Sequence, residues 1–374
     1  MLRLADSERN KSIAMEDDIP PLSPIAAALR AKLAPLHIKT DVDPTSGESP
    51  PASTTSSLPD SVLSDAPPSS TTFLKKMAAA LKILDDYIPE GPHDKTVNIL
   101  RAMIKHIPTL GKEEVFADIV KEQDLAGLAR HYMNLVVFPL RAKGNSTPAA
   151  WSLSSRFSED SLPEGEFESQ QRQQARLKKD CLRRDNGCCL ISGFLDPSFD
   201  SDPSKDTLDT EAAHVVPFAM ASFSEVQRPW AEQVWSEIHR LFPDAKDFEP
   251  EHINDPSNCL TLESTLHRHF GKLNWALELT TKPNTYKVVT FSKLPSGIRR
   301  MGLLPNEYVT FVAHDGRYPL PCPSLLNLHA AVAHIYHASG MSDDFEQILE
   351  ARTEITCLAP DGSTPIAHVL MMMI

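Results

Sequence analysis

The spacing of apolar residues predicts helices after the first 72 residues of the chain. Apolar side chains recur every three or four positions in residues 97–107, which makes one apolar helix face at Val97, Leu100, Ile104 and Ile107. A Gly-Pro step at 91–92 separates this helix from an earlier apolar segment, and a third helical pattern covers 124–140. Residues 73–143 are therefore predicted to form a helical bundle.

The apolar period changes to two near the C-terminal side. Residues 275–281 and 285–291 alternate apolar and polar positions around Pro283-Asn284, which predicts a β-hairpin. Residues 307–316 predict a third strand, 324–340 a helix that ends at Gly340, and 343–355 a further helix. We interpret the histidines at 329, 334 and 337 as surface residues of the 324–340 helix, since most of their spacings suit a metal site poorly.

Polar composition divides the chain into five segments. Residues 43–72 are dominated by Ser, Thr, Pro and Asp, and such a segment buries too little apolar surface to fold. We predict a disordered N-terminal arm (1–72), the helical domain (73–143), a linker (144–166), a central module (167–290) and a C-terminal α/β extension packed on that module (291–374). The fold class is α+β. The arm is a tether, or alternatively a phosphorylated regulatory segment.

Composition narrows the functional classes. The net charge of −13 over 374 residues argues against nucleic-acid binding along the whole surface, so any such contact uses a local basic patch. The six cysteines form no CxxC pair, which argues against a zinc ribbon. Neither a signal peptide nor a run of about 18 apolar residues is present. We expect an intracellular protein, nuclear or cytoplasmic, that is not secreted and has no membrane partner.

One basic segment stands out in this acidic chain. Four cations fall at spacings of four, three and four residues, on one side of a predicted helix: Arg172, Arg176, Lys179 and Arg183. Lys178 and Arg184 are expected to add to the local positive field. The segment is either a solvated helix face or a helix that contacts nucleic-acid phosphates.

Three residues downstream have the side chains of a site that cuts phosphodiesters. His214 follows a short apolar run and is predicted to lie on a strand that Pro217 ends. Asn258 lies in a predicted loop, and His267 lies on a predicted helix. Between them, residues 226–241 predict a helix with a buried apolar face.

These segments resemble the fungal branch of the HNH endonuclease family. The resemblance rests on C-x-x-S-G at 189–193, A-A-H-x-x-P-F at 212–218, the asparagines and leucines of NDPSNCLTL at 254–262, and L-H-x-x-F-G at 266–271. It covers about residues 180–280. The resemblance implies a ββα-metal core, in which a β-hairpin and a helix hold one divalent cation; here that core carries a large helical insertion.

The resemblance also implies residue roles. His214 matches the general base, Asn258 the asparagine that holds the loop or orients the base, and His267 the metal ligand on the helix. Two usual ligand positions are occupied by Ala213 and Gly271. Glu211, on the same strand face as Ala213, is the candidate second ligand. A shell this small favours Mg²⁺ over Mn²⁺ or Zn²⁺.

The resemblance and the residues together imply an HNH-type endonuclease that hydrolyses phosphodiester bonds with one divalent metal, with DNA favoured over RNA as substrate. The alternative is a catalytically degenerate HNH-like scaffold that serves as a protein- or nucleic-acid-interaction module. The missing ligands at 213 and 271 and the acidic net charge favour the alternative.

Overall fold

The computed structural model describes residues 70–141, 164–200, 204–221 and 228–344. These residues form helices and two small antiparallel sheets, as expected for an α+β protein. The predicted N-terminal arm lies outside the described residues except for its last three, and the predicted linker does so through residue 163. The further helix predicted at 343–355 lies outside them from residue 345 onward.

Four helices precede the central module: α1 (Ser70–Asp86), α2 (Thr96–His106), α3 (Thr109–Lys121) and α4 (Leu125–Tyr132). The last continues as a π-helical turn (Met133–Val137) and a final α-helical turn (Phe138–Leu140). Asp124 caps α4, since its side chain accepts a hydrogen bond from the Gly127 amide. Helix α1 packs on α3, and α2 packs on α4.

Helix α5 (Glu164–Arg184) leads into the central module. The helix is followed by Asn186 and Gly187, which adopt left-handed conformations with φ values of 54° and 74° and stop it from continuing. The sequence CCLISG at 188–193 predicts a short strand followed by a turn at Gly193, and the strand is wrong: this segment contributes a single bridge, between Cys188 and Leu195. Gly193 makes the expected turn, with φ of 76°.

Strands β1 (Thr210–His214) and β2 (Cys259–Glu263) form an antiparallel pair in which Glu211 lies opposite Leu262 and His214 opposite Cys259. The long connection between them contains helix α6 (Arg228–Leu241) and 3-10 turns at Phe218–Met220, Pro243–Ala245, Pro250–His252 and Pro256–Asn258. Helix α7 (Ser264–Gly271) follows β2 directly.

The second sheet has the antiparallel order β3 (Trp275–Leu279), β4 (Thr285–Thr290), β5 (Tyr308–Thr310), with the short helix α8 (Ser296–Arg300) before β5. The predicted hairpin is present, and Asn284 supplies a left-handed turn residue with φ of 53°. Helix α9 (Pro323–Ala338) packs on β3 and on α2. The left-handed Gly340 (φ 76°) follows its end, as the sequence predicts.

One cluster of buried apolar residues runs from Ala80 in α1 to Tyr336 in α9. The Trp275 indole is fully buried and donates a hydrogen bond of 3.0 Å to the Leu266 carbonyl, which joins β3 to α7. Within the described ranges, no helix has the length and apolar character needed to cross a membrane.

The interpretation of His329 as a surface residue is wrong. Its side chain is buried and stacks on Phe270 of α7. His334 and His337 are half-buried, and they bond to the Glu278 carboxylate and the Leu273 carbonyl, respectively. The face of α9 that carries these histidines therefore packs inside the protein.

Candidate active site

The β1–β2 pair lies between α5 and α7. One face of the pair packs against α5 through a small apolar cluster: Leu177, Cys181, Ala212 and Cys259. Leu260 and Leu262 point to the opposite face, where they join the main core. Because side chains alternate along a strand, His214 shares the α5 face with Ala212, whereas Glu211 shares the other face with Ala213.

His214 is the last residue of β1 and is half-buried. Its Nε2 atom lies 3.1 Å from Oδ1 of Asn254. Burial lowers the pKa of His214 to about 4, helped by the charge of nearby His267 and opposed by the Asn254 bond. The imidazole is therefore neutral near pH 7, the state in which one ring nitrogen can accept a proton.

Glu211 and His267 are in direct contact, although 56 residues separate them in the chain. The Nδ1 atom of His267 lies 2.5 Å from Oε2 of Glu211, and both side chains are largely buried. The start of α7 places His267, because the Glu263 side chain caps this helix by accepting a 3.0 Å bond from the Leu266 amide. The hydrogen bond of His214, by contrast, goes to Asn254 and not to either member of this pair.

Asn258 is fully buried, and its amide holds the loop in place. Its Oδ1 accepts from the Val216 amide at 2.9 Å, while its Nδ2 donates to the carbonyls of Val216 (3.0 Å) and Ile253 (2.9 Å). These bonds fasten the end of β1 to the turn before β2. Of the two roles expected for the asparagine, loop-holding belongs to Asn258, whereas the contact with the His214 ring belongs to Asn254.

Sequence reasoning missed Asn254, although it begins the motif segment 254–262 from which Asn258 was chosen. Its Oδ1 also accepts a 3.1 Å bond from Nε2 of Gln174, and its Nδ2 donates a 3.3 Å bond to Oε1 of Gln173. The spacing of asparagines in the motif could have indicated both residues. Nothing in the local pattern of α5 distinguished the two glutamines from other polar helix residues.

The C-x-x-S-G turn is structural. The buried Cys189 thiol sulfur accepts bonds from the amides of Ser192 (3.4 Å) and Glu263 (3.3 Å), which ties the turn to the end of β2. Asp196 anchors the start of β1 by accepting bonds from the amide and hydroxyl of Thr210 at 3.1 and 2.6 Å. Burial opposes ionisation of Asp196, yet hydrogen bonds from Ser198 and Thr210 hold its pKa at about 2.

Arg184 is fully buried and forms a bidentate pair with Asp185, with contacts of 2.7 and 2.8 Å. Its guanidinium also donates to the carbonyls of Pro256 (2.6 Å), Pro319 (3.1 Å) and Cys259 (2.9 Å). The expectation that Arg184 adds to the surface charge is therefore wrong. This side chain joins α5 to the turn that carries Asn258.

The remaining cations form the basic stripe, defined as Arg172, Arg176, Lys179 and Arg183, and all four are exposed. The buried positions of α5, Gln174, Leu177 and Cys181, lie on the opposite side of the helix. The basic stripe therefore faces away from the β1–β2 pair. Lys178 is outside it and lies 3.1 Å from the Asp196 carboxylate.

Few further metal donors surround the Glu211–His267 pair. His269 points elsewhere and bonds to the Asn274 side chain at 2.9 Å, as expected for residues two apart on a helix. In the part of the chain that the structure describes, no group of three or more His, Cys, Asp or Glu residues could hold a metal ion. The pair thus offers two protein donors, a carboxylate oxygen and an imidazole nitrogen.

Comparison with known proteins assigns this region. Residues 189–278 match the family model HNH_2, described as HNH endonuclease. The match covers β1, α6, β2, α7 and almost all of β3, which is about a quarter of the chain. No curated protein and no solved structure matches the chain. This region is therefore similar to the HNH endonuclease family, and that similarity suggests nuclease activity.

Proposed function

We propose that this protein is an HNH-type endonuclease that hydrolyses phosphodiester bonds of DNA with the help of one divalent cation. The observation that carries the proposal is the direct contact between Glu211 of β1 and His267 of α7, within the range that matches the endonuclease family. The strand pair and α7 would form the ββα core, with α6 as its helical insertion. The helices α1–α4 would form a bundle that packs on the rest of the protein through α6 and α9, and 291–344 would form an extension of the core.

The donor set of the Glu211–His267 pair fits a cation that keeps much of its water. Mg²⁺ binds through one or two protein carboxylates, several waters and substrate phosphate oxygens, whereas a structural zinc site needs four protein ligands. Glu211 and His267 would hold the ion, which would exchange their mutual hydrogen bond for two metal bonds. When bound, such an ion neutralises developing charge on the phosphate.

His214 would act as the general base. Its low pKa keeps the ring neutral at physiological pH, so that a ring nitrogen can take the proton of the attacking water. Asn258 would keep the end of β1 and the following turn in register, and Asn254 would hold the imidazole. The base lies close to the proposed ligands, since the charge of His267 helps to lower the pKa of His214.

The basic stripe would contact the DNA backbone away from the cleaved bond. Its four exposed cations supply the charge that attracts phosphates, but they face away from the strand pair. DNA is the proposed substrate, with RNA as the alternative that a parallel assay separates.

Plasmid cleavage by the full-length protein tests the proposal. We expect nicking with Mg²⁺ or Mn²⁺, none with EDTA, and a loss of at least about 100-fold in His214→Ala, the range expected for a general base. His267→Ala should also be inactive. His269→Ala is the matched control on the same helix and should cleave normally.

A second candidate function is a degenerate scaffold. The specific observation in its favour is that the Glu211 and His267 side chains hydrogen-bond to each other. Ala213 and Gly271, at the two other usual ligand positions, have no atom that could bind a metal. Absence of cleavage of both DNA and RNA by folded protein in every metal, or equal cleavage by His214→Ala, would overturn the endonuclease and leave the scaffold.

A further inference from the structure

The amide of Asn254 is held from both ends by two consecutive glutamines of α5. Its oxygen accepts from Nε2 of Gln174 at 3.1 Å and faces Nε2 of His214 at 3.1 Å. Its nitrogen donates to Oε1 of Gln173 at 3.3 Å. Gln173 and Gln174 lie outside the range 189–278 that matches the endonuclease family.

The direction of this amide decides the chemistry of the imidazole. A neutral histidine carries hydrogen on only one ring nitrogen, and the other nitrogen has the lone pair that can take a proton. An oxygen facing Nε2 of His214 selects the form with hydrogen on Nε2 and the lone pair on Nδ1. If the Asn254 nitrogen lay there instead, it would select the form with hydrogen on Nδ1 and the lone pair on Nε2.

The burial of Gln174 fixes that direction. This side chain is 3% exposed, and its Oε1 has no hydrogen-bond partner among the described residues. Turning Asn254 around would require Gln174 to turn as well, which would put an NH₂ group with two unpaired donors where one carbonyl oxygen now lies. Unpaired buried donors are rarer than under-used carbonyl oxygens, so the observed direction is the more stable one.

We infer that Gln173 and Gln174 are positioning residues that clamp Asn254 so that Nδ1 of His214 is the nitrogen that receives the proton. The inference rests on the proposed function, because the accepted proton is that of the attacking water. It makes α5 part of the proposed active site, and it assigns Nδ1 as the ring nitrogen of His214 that acts as the base. Neither glutamine touches the imidazole; both act through Asn254.

Long-range ¹H–¹⁵N spectra of the full-length protein, labelled on histidine and recorded at pH 7, test the clamp without any cleavage assay. The His214 signals are those that disappear in His214→Gln. We expect hydrogen on Nε2 in the wild type. In its ionised form, the side chain of Gln174→Glu places only acceptor oxygens against Asn254, so the amide should turn and the hydrogen should move to Nδ1 of His214.

Gln174→Leu removes both the carbonyl oxygen and the NH₂ group of this side chain, so the His214 ring should be a mixture of the two neutral forms. For the same two variants, kcat should fall by about 10–100-fold with KM unchanged within about twofold, the range seen for residues that orient a catalytic group. Gln233→Leu, an exposed position on α6, is the control and should change neither the spectrum nor kcat.

Hydrogen on Nδ1 in the wild type would overturn the clamp, and so would a His214 spectrum that neither Gln174 variant changes. The spectrum separates this failure from failure of the proposed function. If the ring form responds as expected but the wild type cleaves nothing, the clamp stands as a structural device and the nuclease assignment fails. Unchanged signals from the other histidines show that the variants remain folded.

Discussion

The imidazole of His329 stacks on the ring of Phe270, with 3.7 Å between the ring centroids and 11° between the ring planes. Its Nε2 atom also lies 3.2 Å from the Phe270 carbonyl oxygen. Phe270 belongs to the last turn of α7, three residues after His267. Helix α9 therefore supports the helix that carries the proposed metal ligand.

The first prediction concerns stability in acid. Burial lowers the pKa of His329 to about 4, below the value of about 6.5 in an unfolded chain. Between these values the unfolded state binds more protons, so the contribution of His329 to stability is complete above pH 6.5 and is lost as the pH falls towards 4. In His329→Phe the pH dependence of the unfolding free energy, from urea titrations at pH 7, 6 and 5, should decrease by up to about 1.4 kcal/mol per pH unit.

His106 and His214, whose pKa values burial also lowers to about 4, remain in this variant and keep part of the dependence. His314→Gln, an exposed position, should retain the wild-type dependence. An unchanged pH dependence in His329→Phe would show that folding does not lower the pKa of His329.

The second prediction separates the two asparagines. Asn258→Ala leaves the Val216 amide and two carbonyls unpaired in the interior, so unfolding free energy should fall by about 2–4 kcal/mol. Asn254→Ala removes a partly exposed amide but leaves the buried Nε2 of Gln174 without its acceptor, so it should cost about 1–2 kcal/mol, less than Asn258→Ala. Cleavage measured at a temperature where both variants are folded should nevertheless fall more in Asn254→Ala. If cleavage fell more in Asn258→Ala, Asn258 and not Asn254 would be the residue that orients His214.

The third prediction concerns the buried ion pair. Arg184→Met leaves the Asp185 carboxylate in the interior without its partner and breaks three bonds to backbone carbonyls. Unfolding free energy should fall by about 3–5 kcal/mol. Arg183→Met, the exposed neighbour, should change it by less than about 0.5 kcal/mol. Equal effects of the two substitutions in thermal or urea unfolding would contradict the burial of Arg184.

The fourth prediction concerns the basic stripe. Each phosphate contact on B-DNA contributes about 0.9 to the slope of log binding constant against log salt. Replacing all four stripe cations with Gln should therefore lower this slope by up to about 3.6, measured by fluorescence anisotropy over a series of KCl concentrations. The control replaces four exposed cations elsewhere: Lys82, Lys246, Lys282 and Arg300. If the control reduces the slope as much, the attraction is general and the stripe has no special role.

Elements with a strong local signal were predictable from the sequence. The β3–β4 hairpin follows from alternating apolar residues around a Pro-Asn turn, and the end of α5 follows from Asn186-Gly187. The strand face of Glu211, which it shares with Ala213, follows from strand alternation. In each case residues close in the sequence contain the information.

Features that depend on distant residues were not predictable. Arg184 belongs by its neighbours to a basic surface helix. Its burial is stable because it pairs with Asp185 and donates to distant backbone carbonyls at Pro256, Cys259 and Pro319. His329 looks like a surface histidine until Phe270, 59 residues earlier, supplies a ring and a carbonyl. Asn254 and Asn258 are equivalent by residue type, and only the folded loop separates their partners.

The burial of Arg184 also has an evolutionary consequence. The arginine precedes the family match, yet its guanidinium holds the turn and the first residue of β2 inside that match. A recombination event that transferred only codons 189–278 would deliver the strand pair without this anchor. The structural unit that supports the strand pair is accordingly longer than the range that matches the family.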